Sequence, residues 1–230
     1  MEARTPAPLD GLELGKDWID NGTLALTRHE PPGVVGIEDH AAKRGDWLKF
    51  GIGSCDINDM PVILASNQEA ETTVKSTIQR LEFFWPNPKI GPVTEKLERH
   101  FKVSPMGSGT RDLALTLLDG YKTILLKLSD ALDSVECRKT GEYPCLGDAD
   151  LAATVPGGSK VVFLCPPFFV ETDRLKQAGT WIHELAHTLL GASDDAGYYP
   201  RKGKTKAADT PQALKTADCW ANFATDDWPP

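Results

Sequence analysis

His183, Glu184 and His187 stand together in the string HELAH, two imidazoles four residues apart with a carboxylate beside the first. On a helix, positions four apart project from one face a single turn above each other, so both rings can reach one cation. Neutral imidazole suits a borderline-soft ion such as Zn²⁺, which it binds at about 2.0–2.1 Å. The carboxylate needs no bond to the ion; it is placed to act as general base on a metal-activated water that attacks a peptide bond. Glu184 is therefore the candidate catalytic base, and His183 and His187 are candidate ligands for one Zn²⁺ per chain. Five histidines in 230 residues make an accidental match to this pattern rare.

A catalytic zinc site takes three protein ligands and keeps a position open. No histidine follows His187 and no glutamate follows Glu184, so the downstream candidates are aspartates. Gly191 can end the helix in a left-handed conformation and turn the chain back, which would present Asp194 or Asp195 to the ion.

The elements that must position these groups are legible from periodicity. In AGTWIHELAHTLL, Trp181, Ile182, Leu185, Ala186 and Leu189 fall on the side opposite the chemistry, which predicts a helix over 178–190. Ser66 followed by Glu69 reads as a capping box for a helix carrying Ala70, Val74, Ile78 and Leu81 and ending before Pro86. A shorter helix is expected over Val93 to Phe101, and a long one carries Leu113, Leu117, Tyr121, Leu125, Leu128 and Leu132. Leu48 to Ile52, Val62 to Ala65 and Lys160 to Cys165 read as strands, the last stopped by Pro166 and Pro167. The expectation is an α+β fold, mainly helical with a small sheet and the HExxH helix packed between. The proline- and glycine-rich residues 1–62 are read as an extension of unknown role ahead of a catalytic domain over 63–230.

Composition narrows the partners. A formal charge of −8 argues against nucleic acid, whose phosphates call for clustered Lys and Arg. The apolar runs are far shorter than the roughly 20 residues of a membrane helix, and no export signal is visible at the N-terminus. Arg201, Lys202, Lys204 and Lys206 read as a solvated loop. The five cysteines match no CxxC knuckle and would allow two bridges in an oxidising compartment. His29, His40 and His100 read as ordinary surface or loop residues.

Four segments resemble the aspzincins, the deuterolysin and peptidyl-lysine metalloendopeptidase group, over roughly residues 66–230. HELAH resembles the zinc helix of that family, and DDAGY at 194–198 its GTxDxxYG segment. VVFLCPPFF at 161–169 is similar to the strand and turn before the helix, and ADCWANF at 217–223 to a helix near the C-terminus. The resemblance implies a zincin-like fold, Asp195 as third ligand, Tyr198 as hydroxyl donor to the tetrahedral oxyanion, and Asp218 as a substrate-binding wall of the pocket. Ala221 stands where lysine-specific members carry an acidic residue, which weakens any expected preference for lysine. It also implies a Cys145–Cys165 disulfide, with Cys55–Cys137 as the default second pair and Cys219 free. Cys55-Asp56 could alternatively cap the metal in a latent form. The expected substrate is a protein or peptide, cut by a monomer that is secreted or otherwise delivered outside the cell. Two rivals remain at this stage. One is a protease-type toxin or effector, restrained by a cognate inhibitor or immunity protein; the other is a non-catalytic binding protein that retains the fold.

Overall fold

A computed structural model describes residues 54–84, 91–103, 109–130, 135–147, 150–155, 161–194, 198–199 and 204–226. The strand expected over 48–52 and the histidines at 29 and 40 lie outside them.

The first helix, α1 (Met60–Phe84), is longer than its periodicity suggested. Ser66 is not a cap: it is buried inside the helix, donating from Oγ to the Ile63 carbonyl and accepting from the indole N–H of Trp181 at 3.0 Å. Val62 to Ala65 are helical rather than extended, because Met60, Ile63, Asn67 and Ala70 continue the buried stripe back towards the N-terminus. Tertiary packing here overrides the β-branched preference of Val62 and Ile63. Pro61 sits in the first turn, where its missing N–H removes no helical bond.

Helix α2 (Pro92–Phe101) and helix α3 (Gly109–Asp130) follow as expected, Leu132 lying outside the described residues. Strand β1 (Val135–Cys137) runs parallel to β3 (Val162–Leu164), and β2 (Ala152–Thr154) pairs antiparallel on the other side, giving the order β1-β3-β2. The short α4 (Pro166–Val170) leads into the central helix α5 (Arg174–Leu190). A two-stranded ladder of β4 (Tyr198–Tyr199) and β5 (Lys204–Thr205), the short α6 (Thr210–Leu214) and the final α7 (Ala217–Thr225) complete the domain. It is a mainly helical, zincin-like α+β fold with a three-stranded sheet. No helix among the described residues is long and apolar enough to cross a membrane.

One core joins these elements: Ile63, Val74 and Leu81 of α1 meet Leu117 and Tyr121 of α3, Trp181 and Leu185 of α5, and Trp220 and Phe223 of α7. Gly120 lets α3 and α7 approach closely, since a Cβ there would fall 2.4 Å from the Trp220 ring. The adjacent Tyr121 hydroxyl donates to the Trp220 carbonyl at 2.7 Å, so the last helix is held by both packing and a buried hydrogen bond. Cys145–Cys165 and Cys55–Cys137 are both disulfides, and Cys219 is a buried free thiol. With Cys55 bonded to Cys137, a latent Cys55 cap on a metal is ruled out.

His100 is not a surface residue: it is 1% exposed, edge-on to Phe223. Its Nε2 lies 2.9 Å from Asp226 Oδ2, which Arg99 also approaches at 2.8 Å, while Lys96 donates to the Asp226 carbonyl at 2.7 Å. Burial lowers the His100 pKa from 6.5 to about 4, with Arg99 and Lys96 adding to the effect against the opposing pull of Asp226. Between those values the unfolded chain binds a proton that the folded one excludes, so stability falls as pH drops from 6.5 to 4. A difference of that size corresponds to roughly 3 kcal/mol. Asp226, held below its ordinary value by His100, Lys96 and Arg99 despite the opposing effect of burial, adds a further loss at lower pH still. Urea titrations across this window should show the decline in the wild type and a shallower slope in His100→Gln.

Candidate metal centre

Helix α5 is closed at both ends by its own sequence. Asp173 caps the N-terminus, its Oδ1 accepting the amides of Leu175 at 3.0 Å and Lys176 at 3.2 Å. Gly191 adopts φ 65° at the C-terminus, and the Ala192 amide returns to the Ala186 carbonyl at 3.2 Å. Ala178, Trp181, Ile182, Leu185 and Ala186 are buried in the core, which leaves His183, Glu184 and His187 along the floor of a cavity of about 1050 Å³. Strand β2 lines the cavity with Ala152, Ala153 and Thr154, and α7 lines it with Asp218, Ala221 and Asn222.

The chain after α5 is returned to the site by long-range pairing. Ser193 forms a bridge with Thr216: its amide donates to the Lys215 carbonyl at 2.6 Å, and the Ala217 amide donates to its carbonyl at 2.9 Å. Asp194, the next residue, thereby faces both histidines. Its Oδ1 lies 3.2 Å from His183 Nε2 and its Oδ2 lies 3.3 Å from His187 Nε2, while the two Nε2 atoms are 3.0 Å apart. His183, His187 and Asp194 form a group able to hold a metal ion. Asp195 lies outside the described residues, as does the side chain of Tyr198, whose backbone pairs with Thr205.

The donor set suits zinc. Four ligands at about 2.0–2.1 Å in a tetrahedron stand about 3.3–3.4 Å from one another, close to the separations found here. Both rings turn their other nitrogen outward to an acceptor, His187 Nδ1 to the Ala192 carbonyl at 2.9 Å and His183 Nδ1 to Asp218 Oδ1 at 3.1 Å. Each Nδ1 therefore carries the hydrogen, and each Nε2 offers its lone pair to the shared point.

The electrostatics agree with a cation-binding site. Burial alone opposes a charge on His183, yet hydrogen bonds to Asp194 and Asp218 and the nearby Glu184 raise its pKa to about 10. His187 is raised as well, through Asp194 and the Ala192 carbonyl acting against burial. His183 and His187 hold the Asp194 carboxyl well below the usual carboxylate range. Burial pushes the Glu184 pKa up, against the opposing pull of the two histidines and a hydrogen bond from Thr154. Thr154 and the Ala192 carbonyl are site groups that motif reading missed, since neither is tied to HELAH by spacing.

A mainly helical α+β domain with such a triad on the helix and the turn after it defines a zinc metallopeptidase. A family model described as lysine-specific metallo-endopeptidase, of the aspzincins, matches residues 93–225, more than half of the chain. The chain belongs to the aspzincin family and is a metalloendopeptidase. No curated protein and no solved structure matches it.

Proposed function

We propose that the chain hydrolyses peptide bonds with a single Zn²⁺ held by His183, His187 and Asp194, and with Glu184 as general base and then acid. The observation that carries this reading is the convergence of two Nε2 atoms and both oxygens of one carboxylate within 3.0 to 3.3 Å, with both Nδ1 atoms already bonded elsewhere. When bound, zinc supplies Lewis-acid chemistry, polarising a carbonyl and lowering the pKa of water from 15.7 towards about 7.

The protein groups divide the remaining work. Glu184 accepts a proton from the attacking water as its oxygen bonds to the peptide carbon, then gives that proton to the amide nitrogen as the C–N bond breaks. A carboxyl whose pKa is raised by burial binds a proton more readily than an exposed one, which suits the first transfer, from water to Glu184. The Thr154 hydroxyl orients the carboxylate from the strand side. Tyr198, by its resemblance to the family's tyrosine, is the proposed hydrogen-bond donor to the oxyanion, where such a bond strengthens in the transition state. Two disulfides suit an oxidising compartment and support a protein that works outside the cytosol.

The test is zinc content together with cleavage of an unbiased peptide library. About one zinc per chain is expected, with cleavage lost to a strong chelator and restored by added Zn²⁺. Cleavage that persists in zinc-free protein, or a zinc-loaded chain that cuts no peptide, would defeat the proposal.

A further inference from the structure

Asp218 lines the cleft, but its carboxylate faces a protein partner. It stands in the first turn of α7, with Oδ1 3.1 Å from His183 Nδ1. His183 Nε2 is the atom that meets His187 Nε2 and Asp194, at 3.0 and 3.2 Å. A neutral imidazole has one N–H, so a lone pair on Nε2 places the hydrogen on Nδ1, which then donates to Asp218. His187 meets the same requirement with a neutral acceptor, the Ala192 carbonyl. The Ser193–Thr216 bridge delivers both carboxylates at once: Asp194 is one residue beyond Ser193 and Asp218 is two beyond Thr216, and they reach opposite nitrogens of one ring.

We propose that Asp218 is a positioning residue that fixes the tautomer and orientation of His183, and that it is not the receptor for a substrate cation. The inference rests on the zinc reading above and specifies its substrate class. Beyond Asp218, α7 presents Ala221, Asn222 and Thr225 to the cleft, none of them charged. Helix α5 adds Gly179, Thr180 and Lys176, and the Lys176 ammonium pairs with Glu171. The other carboxylates that line the cleft among the described residues also have partners: Glu184 meets Thr154, Asp194 meets both histidines, and Asp150, on the β2 side, accepts the Gly147 amide at 2.7 Å. Among the described residues the α5–α7 end of the cleft thus offers a substrate cation no carboxylate without a protein partner, and a lysine preference is not expected of this chain.

The experiment compares wild type with Asp218→Ala and Asp218→Asn. Zinc affinity is read by competition with a chromogenic chelator, and specificity by the ratio of kcat/KM for lysine and norleucine peptides at zinc saturation. Loss of an outer acceptor of this kind weakens metal binding by about 10–100-fold, so Asp218→Ala should bind zinc that much less tightly and Asp218→Asn by less. The wild type should show no preference for lysine over norleucine, and neither substitution should change that ratio. In zinc-loaded wild type, ¹⁵N-histidine NMR should report a protonated Nδ1 on His183 whose proton resonance shifts in Asp218→Asn. Because the asparagine keeps the shape of aspartate, this spectrum and its affinity serve even where the alanine variant fails to fold. Unchanged zinc affinity in both variants, or a lysine preference that disappears with Asp218, would overturn the assignment while leaving the zinc reading intact. A wild type that binds no zinc would overturn both.

Discussion

Glu184→Ala should abolish peptide cleavage while leaving zinc in place. A positioned acid/base contributes about 10²–10⁴-fold, and among the described carboxylates that line the cleft outside the ligand triad Glu184 is the buried one. The stability readout separates this from simple damage. Glu184 is 4% exposed and burial disfavours its charge, so the neutral, isosteric Glu184→Gln should be at least as stable as wild type. An active site that holds a destabilised group for its chemistry gains stability when that group is made neutral. The two measurements are residual kcat/KM of the zinc-loaded protein and the urea midpoint of the zinc-free protein, where no cation offsets the burial of the carboxylate. Retained cleavage in both variants would remove Glu184 from the mechanism, and loss of zinc alongside loss of cleavage would make it a ligand instead.

Local and long-range information divide the sequence reading unevenly. The zinc helix was legible over 178–190 because its apolar face, the Gly191 stop and the HELAH spacing lie within one segment; its first turn, from Arg174 behind the Asp173 cap, precedes the HELAH pattern and was not read. The long α3 was legible for the same reason. What failed depends on partners distant in the chain. His100 looked like a surface residue because its carboxylate, Asp226, is 126 residues away. Ser66 matched a capping box, yet its hydroxyl meets Trp181, 115 residues on. Val62 to Ala65 carried a strand's composition, but their packing as the start of α1 decided their state. Strand β2, three half-buried residues of sequence AAT, offers no alternation from which to infer it, although it brings Thr154 to Glu184. Cys145–Cys165 came from family likeness and Cys55–Cys137 only as the default second pair, and both form.

The choice between adjacent aspartates is the part of the site that sequence left most open, and it yields the second large effect. Asp194→Asn should weaken zinc binding by more than about a hundredfold, since even outer partners of metal ligands account for 10–100-fold. Asp195→Asn should change it by less than about threefold, as expected for a charge outside the coordination sphere. Isosteric amides keep the turn's shape, so the comparison isolates the ligand charge. The reason lies in the bridge at Ser193: its amide and carbonyl are fixed between Lys215 and Ala217, and the residue immediately after it is the one aimed at both Nε2 atoms. Zinc titrations of the two variants under identical conditions decide the matter, because a reversal of their order would move the third ligand to Asp195. In that event Asp194 would become the outer partner, and the extra residue between Gly191 and the ligand would have to be absorbed by the turn rather than by the bridge.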